Sequence, residues 1–326
     1  MTALVPRVLD DIVEASVVGS FSRLGPAIRR RLFRWDDAPP GALAGRTAVV
    51  TGATSGLGLA IGTELAGLGA QVTLVGRDAA KLVTAEDQVR ATHPAADVTT
   101  EQADLARLSD VRALAGALGS RLPKVDVLVH NAGALVHDHQ LTDDHLELTL
   151  QVHVVAPFLL TSALLAPLRA AGAARVLTMS SGGMYTQRLD VEHLQATAVG
   201  FDGTVAYARA KRAQVELNAS WARRFPDAGI GFHALHPGWV DTPGLHSGLP
   251  GFTRLGPLLR PIPEGTDTAV WLAWTPEATA PGGDFWLDRA RRGTVHLPWT
   301  RTPPGEDDRL WERVVGWAGI DPEAGA

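Results

Sequence analysis

The stretch Thr51-Gly52-Ala53-Thr54-Ser55-Gly56-Leu57-Gly58 follows the apolar run Thr47-Ala48-Val49-Val50 and opens the helical pattern Leu59-Ala60-Ile61-Gly62-Thr63-Glu64-Leu65-Ala66. It reads as strand, glycine-rich turn and helix. Glycines let backbone approach a ligand closely, and the helix that follows offers unpaired N–H groups and the positive end of its dipole. A pyrophosphate suits such a turn. The spacing is Gly-x-x-x-Gly-x-Gly, which differs from the commonest dinucleotide fingerprint, so a purely structural turn stays open at this point.

Outward from that turn, apolar strand-like runs alternate with helical periodicity. The strand-like runs are Gln71 to Val75, Asp97 to Gln102, Val125 to His130, Ala174 to Met179 and Ile230 to Leu235. Helices are expected at Ala79 to Thr92, Leu108 to Leu118, Asp143 to Leu168 and Thr204 to Phe225. Repeated βα units with right-handed crossovers make an α/β fold: a doubly wound, Rossmann-type, mostly parallel sheet in a three-layer αβα domain, with ligands outside the carboxyl ends of the strands. The chain divides into an amino-terminal extension (1–44), a catalytic domain (45–300) with a lid at about 243–262, and a carboxyl-terminal extension (301–326) with a short helix.

The extension carries Arg23, Arg29, Arg30, Arg31 and Arg34 among Phe21, Leu24, Ile28, Leu32, Phe33 and Trp35, with Gly25-Pro26 in its middle. It reads as one short basic amphipathic helix, packed across the domain with its arginines in water, or else lying on a membrane surface. With 326 residues, 45% hydrophobic, and a formal charge of −5, the chain lacks the basic excess of a nucleic-acid binder. It has no cysteine, which rules out disulfides, thiolate nucleophiles and thiolate-bound metals and suits a reducing, cytoplasmic setting. The apolar segment Ile12 to Val18 contains Glu14 and is too short for a transmembrane helix. His137-Asp138-His139 and nearby His145 read as an exposed polar loop, so no metal is expected.

Three further stretches carry chemistry. After the second strand comes Gly76-Arg77-Asp78, where an arginine accommodates a 2′-phosphate and an acid binds a ribose 2′-hydroxyl; Arg77 favours NADP(H), and Asp78 leaves NAD(H) open. Tyr207 and Lys211, at helical i, i+4 spacing, share a face on which an ammonium can favour the ionised phenol. Ser181, in Ser180-Ser181-Gly182-Gly183 after the fifth strand, can offer a hydroxyl to a substrate oxygen.

The glycine turn, Asn131-Ala132-Gly133, Ser181, Tyr207-x-x-x-Lys211 and Pro237-Gly238 occur in an order that resembles the short-chain dehydrogenases/reductases, over about residues 46–298. The resemblance implies that Tyr207 is the general acid/base, that Lys211 binds the nicotinamide ribose and lowers the tyrosine pKa, and that Ser181 orients the substrate carbonyl. It further implies adenine contacts from Asp104 and Leu105, cofactor packing by Asn131, Ala132 and Gly133, and carboxamide contacts near Pro237, Gly238, Val240 and Thr242. A dimer or tetramer through two long helices is also implied. Where many members have asparagine to hold a relay water, this chain has His153, which either carries the relay through a ring nitrogen or alters it; His130 replaces a second asparagine.

The interval from Ser181 to Tyr207 is long and suggests an insertion, Gln187 to Gly200, near the mouth of the site. Leu245 to Ile262, with Phe252, reads as the substrate lid, and Trp239, Trp271, Trp274, Trp286 and Trp299 supply apolar surface around or behind it. Leu310 to Trp317 reads as a last helix docking on the body or on a second subunit. The function expected is hydride transfer between NADP(H) and a small apolar carbonyl or alcohol. The alternatives are a nucleotide-binding sensor with impaired catalysis and a lipid carbonyl reductase held peripherally on a membrane.

Overall fold

The computed structural model describes residues 4–248, 250–279 and 282–323. Helices α1 (Leu4–Ala15), α2 (Val17–Phe21) and α3 (Leu24–Phe33) precede the first strand. The alternating core follows: β1 (Thr47–Thr51), α4 (Gly56–Gly67), β2 (Gln71–Gly76), α5 (Ala79–Thr92), β3 (Val98–Gln102), α6 (Leu108–Arg121) and β4 (Val127–His130). Next come α7 (Leu148–Leu150), a π-helical turn (Gln151–Val155), α8 (Ala156–Ala163), α9 (Leu165–Ala170), β5 (Ala174–Met179), α10 (Gly203–Arg224) and β6 (Ile230–Leu235). The chain ends with α11 (Pro243–Gly248), α12 (Ile262–Trp274), β7 (Asp284–Leu287), β8 (Ala290–Arg291) and α13 (Glu306–Ala318).

The strands form one sheet in the order β3-β2-β1-β4-β5-β6-β7-β8, parallel except for the antiparallel β7/β8 pair. Alternating side chains fill two apolar layers, as the two-residue strand period requires. Ala48, Val50, Val127, Val129 and Leu177 meet α4, α5 and α12 on one face. Val49, Leu128 and Val176 meet α6, α8 and α10 on the other. The strand order reverses between β1 and β4, so their carboxyl ends splay apart and leave a crevice there.

Several expectations need correction. The extension is three helices, not one, because Ser16 caps α2 through Gly19 N–H and the chain bends again at Ser22. Gly25-Pro26 lies in the first turn of α3, where proline costs no hydrogen bond. Its arginines are not all in water, since Arg29 is wholly buried. The expected helix from Asp143 to Leu168 begins at Leu148, where the Glu147 carboxylate caps Thr149 and Leu150 N–H, and it breaks at Leu164. Asp126 precedes β4; its backbone bonds Thr47 O and Arg175 N–H (2.9 Å each), and its carboxylate takes Arg46 and the Thr47 N–H. The sheet continues past β6 into β7 and β8, which the sequence reading did not include.

The stretch expected to form a lid consists of α11 and a 3-10 segment, Pro250–Leu258, while Ile262 already belongs to α12. The side chain of Phe252 lies outside the described residues. Of the five tryptophans assigned to this region, Trp286 is core and Trp299 is 70% exposed. The stretch from Gln187 to Gly200 packs through buried Leu189, Val191 and Leu194, and its end, Thr197 to Gly200, is exposed. Helix α13 docks on its own chain: Leu310, Trp311 and Val314 join the core, and Trp311 sits 4.8 Å from Trp221 of α10 and 5.0 Å from Phe158 of α8.

Candidate active site

At the carboxyl edge of the sheet, a cavity of about 780 Å³ opens over the splayed ends of β1 and β4. Thr51 joins the two ends. Its hydroxyl donates to Val129 O (3.2 Å) and accepts from the N–H groups of Asn131 (3.1 Å) and Ala132 (3.2 Å). The Asn131 amide donates to the carbonyls of Thr51 and Gly52. Gly58 packs beneath this junction, where a Cβ would run into the Gly52 carbonyl and the Asn131 amide. The turn is thereby held open, with Gly52, Thr54, Ser55, Gly56 and Leu57 on the cavity wall and Gly58 behind it.

Arg77 and Asp78 follow β2 on the same wall, and Lys81 joins them. The Asp78 carboxylate accepts the Lys81 N–H at 3.1 Å as the N-cap of α5, whereas Arg77 and Lys81 are exposed. Asp104 and Leu105 line the cavity after β3; the Asp104 carboxylate shapes its own turn by accepting from Ala106 N–H. Asn131, Ala132 and Gly133 line it after β4, and Pro237, Gly238, Val240 and Thr242 line it after β6.

Ser181, Tyr207, Lys211 and His153 meet at the inner end of the cavity. Lys211 is buried, donates to Met179 O at 2.7 Å, and lies over the Tyr207 ring, 5.4 Å from its centroid. The Ser180 hydroxyl fixes that turn of α10 by donating to Lys211 O (2.9 Å). Burial pulls the Lys211 ammonium down to about 7. Burial also raises Tyr207, and the adjacent Ser181 hydroxyl only partly opposes the rise. The Lys211 ammonium lies against the ring, and burial favours the protonated phenol.

His153 occupies the π-helical turn, a geometry that recurs at functional sites because it re-aims one side chain. Its Nε2 lies 2.8 Å from Ala134 O and 3.1 Å from Ala134 N, and its ring meets Tyr207 edge-on at 5.3 Å. Nε2 carrying the proton donates to the nearer carbonyl. Burial, then the Lys211 charge, keeps the imidazole neutral by lowering its pKa well below the usual value. Gln214 of α10 donates to His153 O at 2.8 Å. Behind these groups a cavity of about 30 Å³, lined by His130, His153, Gln214 and Asn218, is large enough for one water. His130 bonds Thr161 at 2.7 Å, and burial lowers its pKa to about 3. His139, from the loop read as non-metal, bonds Ala196 O at 2.9 Å.

Gly133 gives a sharp test of this packing, since a Cβ there would lie 2.6 Å from His153 Cε1. Gly133→Ala is expected to destabilise the fold by about 1–3 kcal/mol through overpacking, and to lower turnover by shifting His153 against Tyr207. Chemical denaturation beside steady-state kinetics checks this; an unchanged midpoint and kcat would mean that the ring moves freely.

Thr51, Lys81, Ser180 and Gln214 escaped the sequence reading. Lys81 had a signal, being one of three lysines and one helical turn beyond Arg77. The others act through contacts that no local pattern announces.

The family model for short chain dehydrogenase matches residues 46–248. The chain belongs to the short-chain dehydrogenase family. It is 39% identical to dehydrogenase/reductase SDR family member 12 of Bos taurus over 272 residues, covering 82% of this chain and 84% of that one. It is 30% identical to human retinol dehydrogenase 13, covering 85% and 86%. Among solved structures, the RhlG/NADP active-site complex of Pseudomonas aeruginosa superposes with a TM-score of 0.62 at 26% identity, covering 76% of this chain and 96% of that one. This short-chain dehydrogenase is accordingly an NAD(P)-dependent oxidoreductase.

Proposed function

We propose that this dehydrogenase interconverts a small apolar carbonyl compound and its alcohol with NADP(H), using Ser181, Tyr207 and Lys211. One observation carries the reading: these three side chains line the same cavity as the glycine turn. The cradle over Gly58 fits a dinucleotide. Gly52 to Leu57 would hold the pyrophosphate, Arg77 and Lys81 the 2′-phosphate, Asp104 and Leu105 the adenine, and Lys211 the nicotinamide ribose. Pro237, Val240 and Thr242 would take the carboxamide. Bound there, the dihydronicotinamide supplies the hydride.

The protein's own part is to place and protonate the substrate oxygen. Ser181 donates a hydrogen bond to the carbonyl oxygen, and the Tyr207 phenol, held protonated by burial, gives that oxygen its proton. Leu135, Leu148, Val152, Trp239 and Leu245 form the apolar part of the wall, which suits a substrate with little polarity beyond the reacting group.

NADPH is expected to bind roughly 10–100-fold more tightly than NADH, the worth of one or two charge-assisted hydrogen bonds. Asp78 is committed to its cap, while Arg77 and Lys81 lie free to meet a phosphate dianion. Titration with each nucleotide, read by energy transfer from Trp239 and the other tryptophans, measures the ratio. Arg77→Ala/Lys81→Ala should abolish the preference, and tighter NADH binding by the unmodified enzyme would overturn the cofactor assignment.

A further inference from the structure

Helix α1 turns its apolar stripe outward. Val5, Val8, Leu9 and Ile12 fall at helical i, i+3, i+4 and i+7 positions, hence on one face, and all are exposed, Val5 by 62% and Ile12 by 63%. Two of its three acidic side chains go the other way: Asp10 and Glu14 face inward, paired with Arg29 and Arg292, while Asp11 is exposed. The pattern extends through the exposed Val17 and Val18 to Leu24, Ile28 and Phe33 of α3. Between residues 5 and 34, Arg7, Arg23, Arg30, Arg31 and Arg34 are exposed, against Asp11 as the one exposed acid, a surplus of four positive charges (5 − 1). Arg30 reaches Asp267 at 3.3 Å. The whole chain carries −5, so the basic and apolar character is concentrated here.

We infer that this face docks on an anionic phospholipid surface, with α1 and α3 lying in the interface. Exposed aliphatic side chains and exposed arginines in one segment match a headgroup layer that is apolar beneath and negative above. A second copy fits less well, because two-fold pairing of one patch with itself brings its arginines toward their own equivalents. Among the described residues no helix is long and apolar enough to cross a membrane. The face also adjoins the lid: Arg23 N–H donates to Leu258 O at 3.0 Å, at the end of the 3-10 segment. An apolar substrate dissolved in the lipid would thus lie beside the segment that flanks the cavity, a consequence that rests on the proposed function; the docking itself does not.

Flotation of the full chain tests it. Vesicles of phosphatidylcholine with about 30% phosphatidylserine should retain the protein roughly tenfold better than phosphatidylcholine alone, and about 0.5 M salt should weaken retention. Val5→Glu/Ile12→Glu, at sites where the side chains already face water, should lose retention about tenfold while keeping the melting curve and the NADPH titration of the unmodified protein. Failure of the unmodified protein to float with anionic vesicles, or equal flotation of the variant, would overturn the inference. So would light scattering that shows a dimer split by the variant, which would assign the face to a second copy. Because the nucleotide titration is read separately, loss of the enzymatic reading and loss of the docking reading remain distinguishable.

Discussion

Tyr207→Phe is expected to lower kcat by about 10²- to 10⁴-fold, the usual worth of a positioned proton donor, while leaving NADPH affinity within about twofold. The substitution removes one oxygen and keeps the ring that meets His153 at 5.3 Å and lies under Lys211, so cavity packing is preserved. Ser181→Ala should fall in the same direction, because the hydroxyl proposed to orient the carbonyl also adjoins the phenol. Tyr185 supplies the control, being the only other tyrosine in the chain. It is buried, donates to Gly293 O at 2.9 Å, and is not on the cavity wall, so Tyr185→Phe should leave kcat nearly unchanged. Stopped-flow oxidation of NADPH with a panel of apolar ketones and aldehydes measures all three. Retained turnover in Tyr207→Phe would remove Tyr207 from the chemistry.

Arg29→Ala is expected to cost about 3–5 kcal/mol of folding stability, the range for breaking one partner out of a buried ion cluster. The guanidinium is wholly buried and uses every arm: Nε to Asp10 (2.7 Å), Nη1 to Asp288 (2.6 Å), and Nη2 to Glu14 (2.7 Å) and Ser20 Oγ (2.9 Å). Burial pushes the Asp10 carboxyl up, and Arg292 with Arg29 more than reverses this, so removing Arg29 strips part of what keeps it charged. Asp288 is shared with buried Arg260, which donates to the carbonyls of Ser20 (2.6 Å), Phe21 (3.0 Å) and Pro237 (3.2 Å). The loss should therefore reach the Pro237-Gly238-Trp239 wall and weaken NADPH binding as well as stability. Phe21 stiffens the same wall, since its carbonyl takes Trp239 N–H at 2.8 Å and its ring lies 4.4 Å from His236. Urea denaturation and a nucleotide titration on the same variant check the two parts. A stability change under about 0.5 kcal/mol would mean that the cluster is energetically neutral.

The sequence by itself determined the fold class and the family. Strand and helix periods are local, a glycine turn after an apolar run has few readings, and Tyr207 and Lys211 are brought together by helix geometry alone. The strands on either side of the crevice were legible for the same reason, being continuous apolar runs buried on both faces. Only the tertiary structure decided what depends on distant partners. Arginine in a polar stretch reads as solvated, yet Arg29 is buried because Asp288 stands 259 positions further along the chain. Asp78 leaves NAD(H) open in the sequence, and only the fold shows its carboxylate on the N-cap of α5. Strand β7 opens on Asp284 and offers only three apolar residues after it, and its pairing with β6 is what makes it a strand. Helix spacing puts Tyr207 and Lys211 on one face, but the burial that pushes the phenol's pKa up is a property of the whole fold.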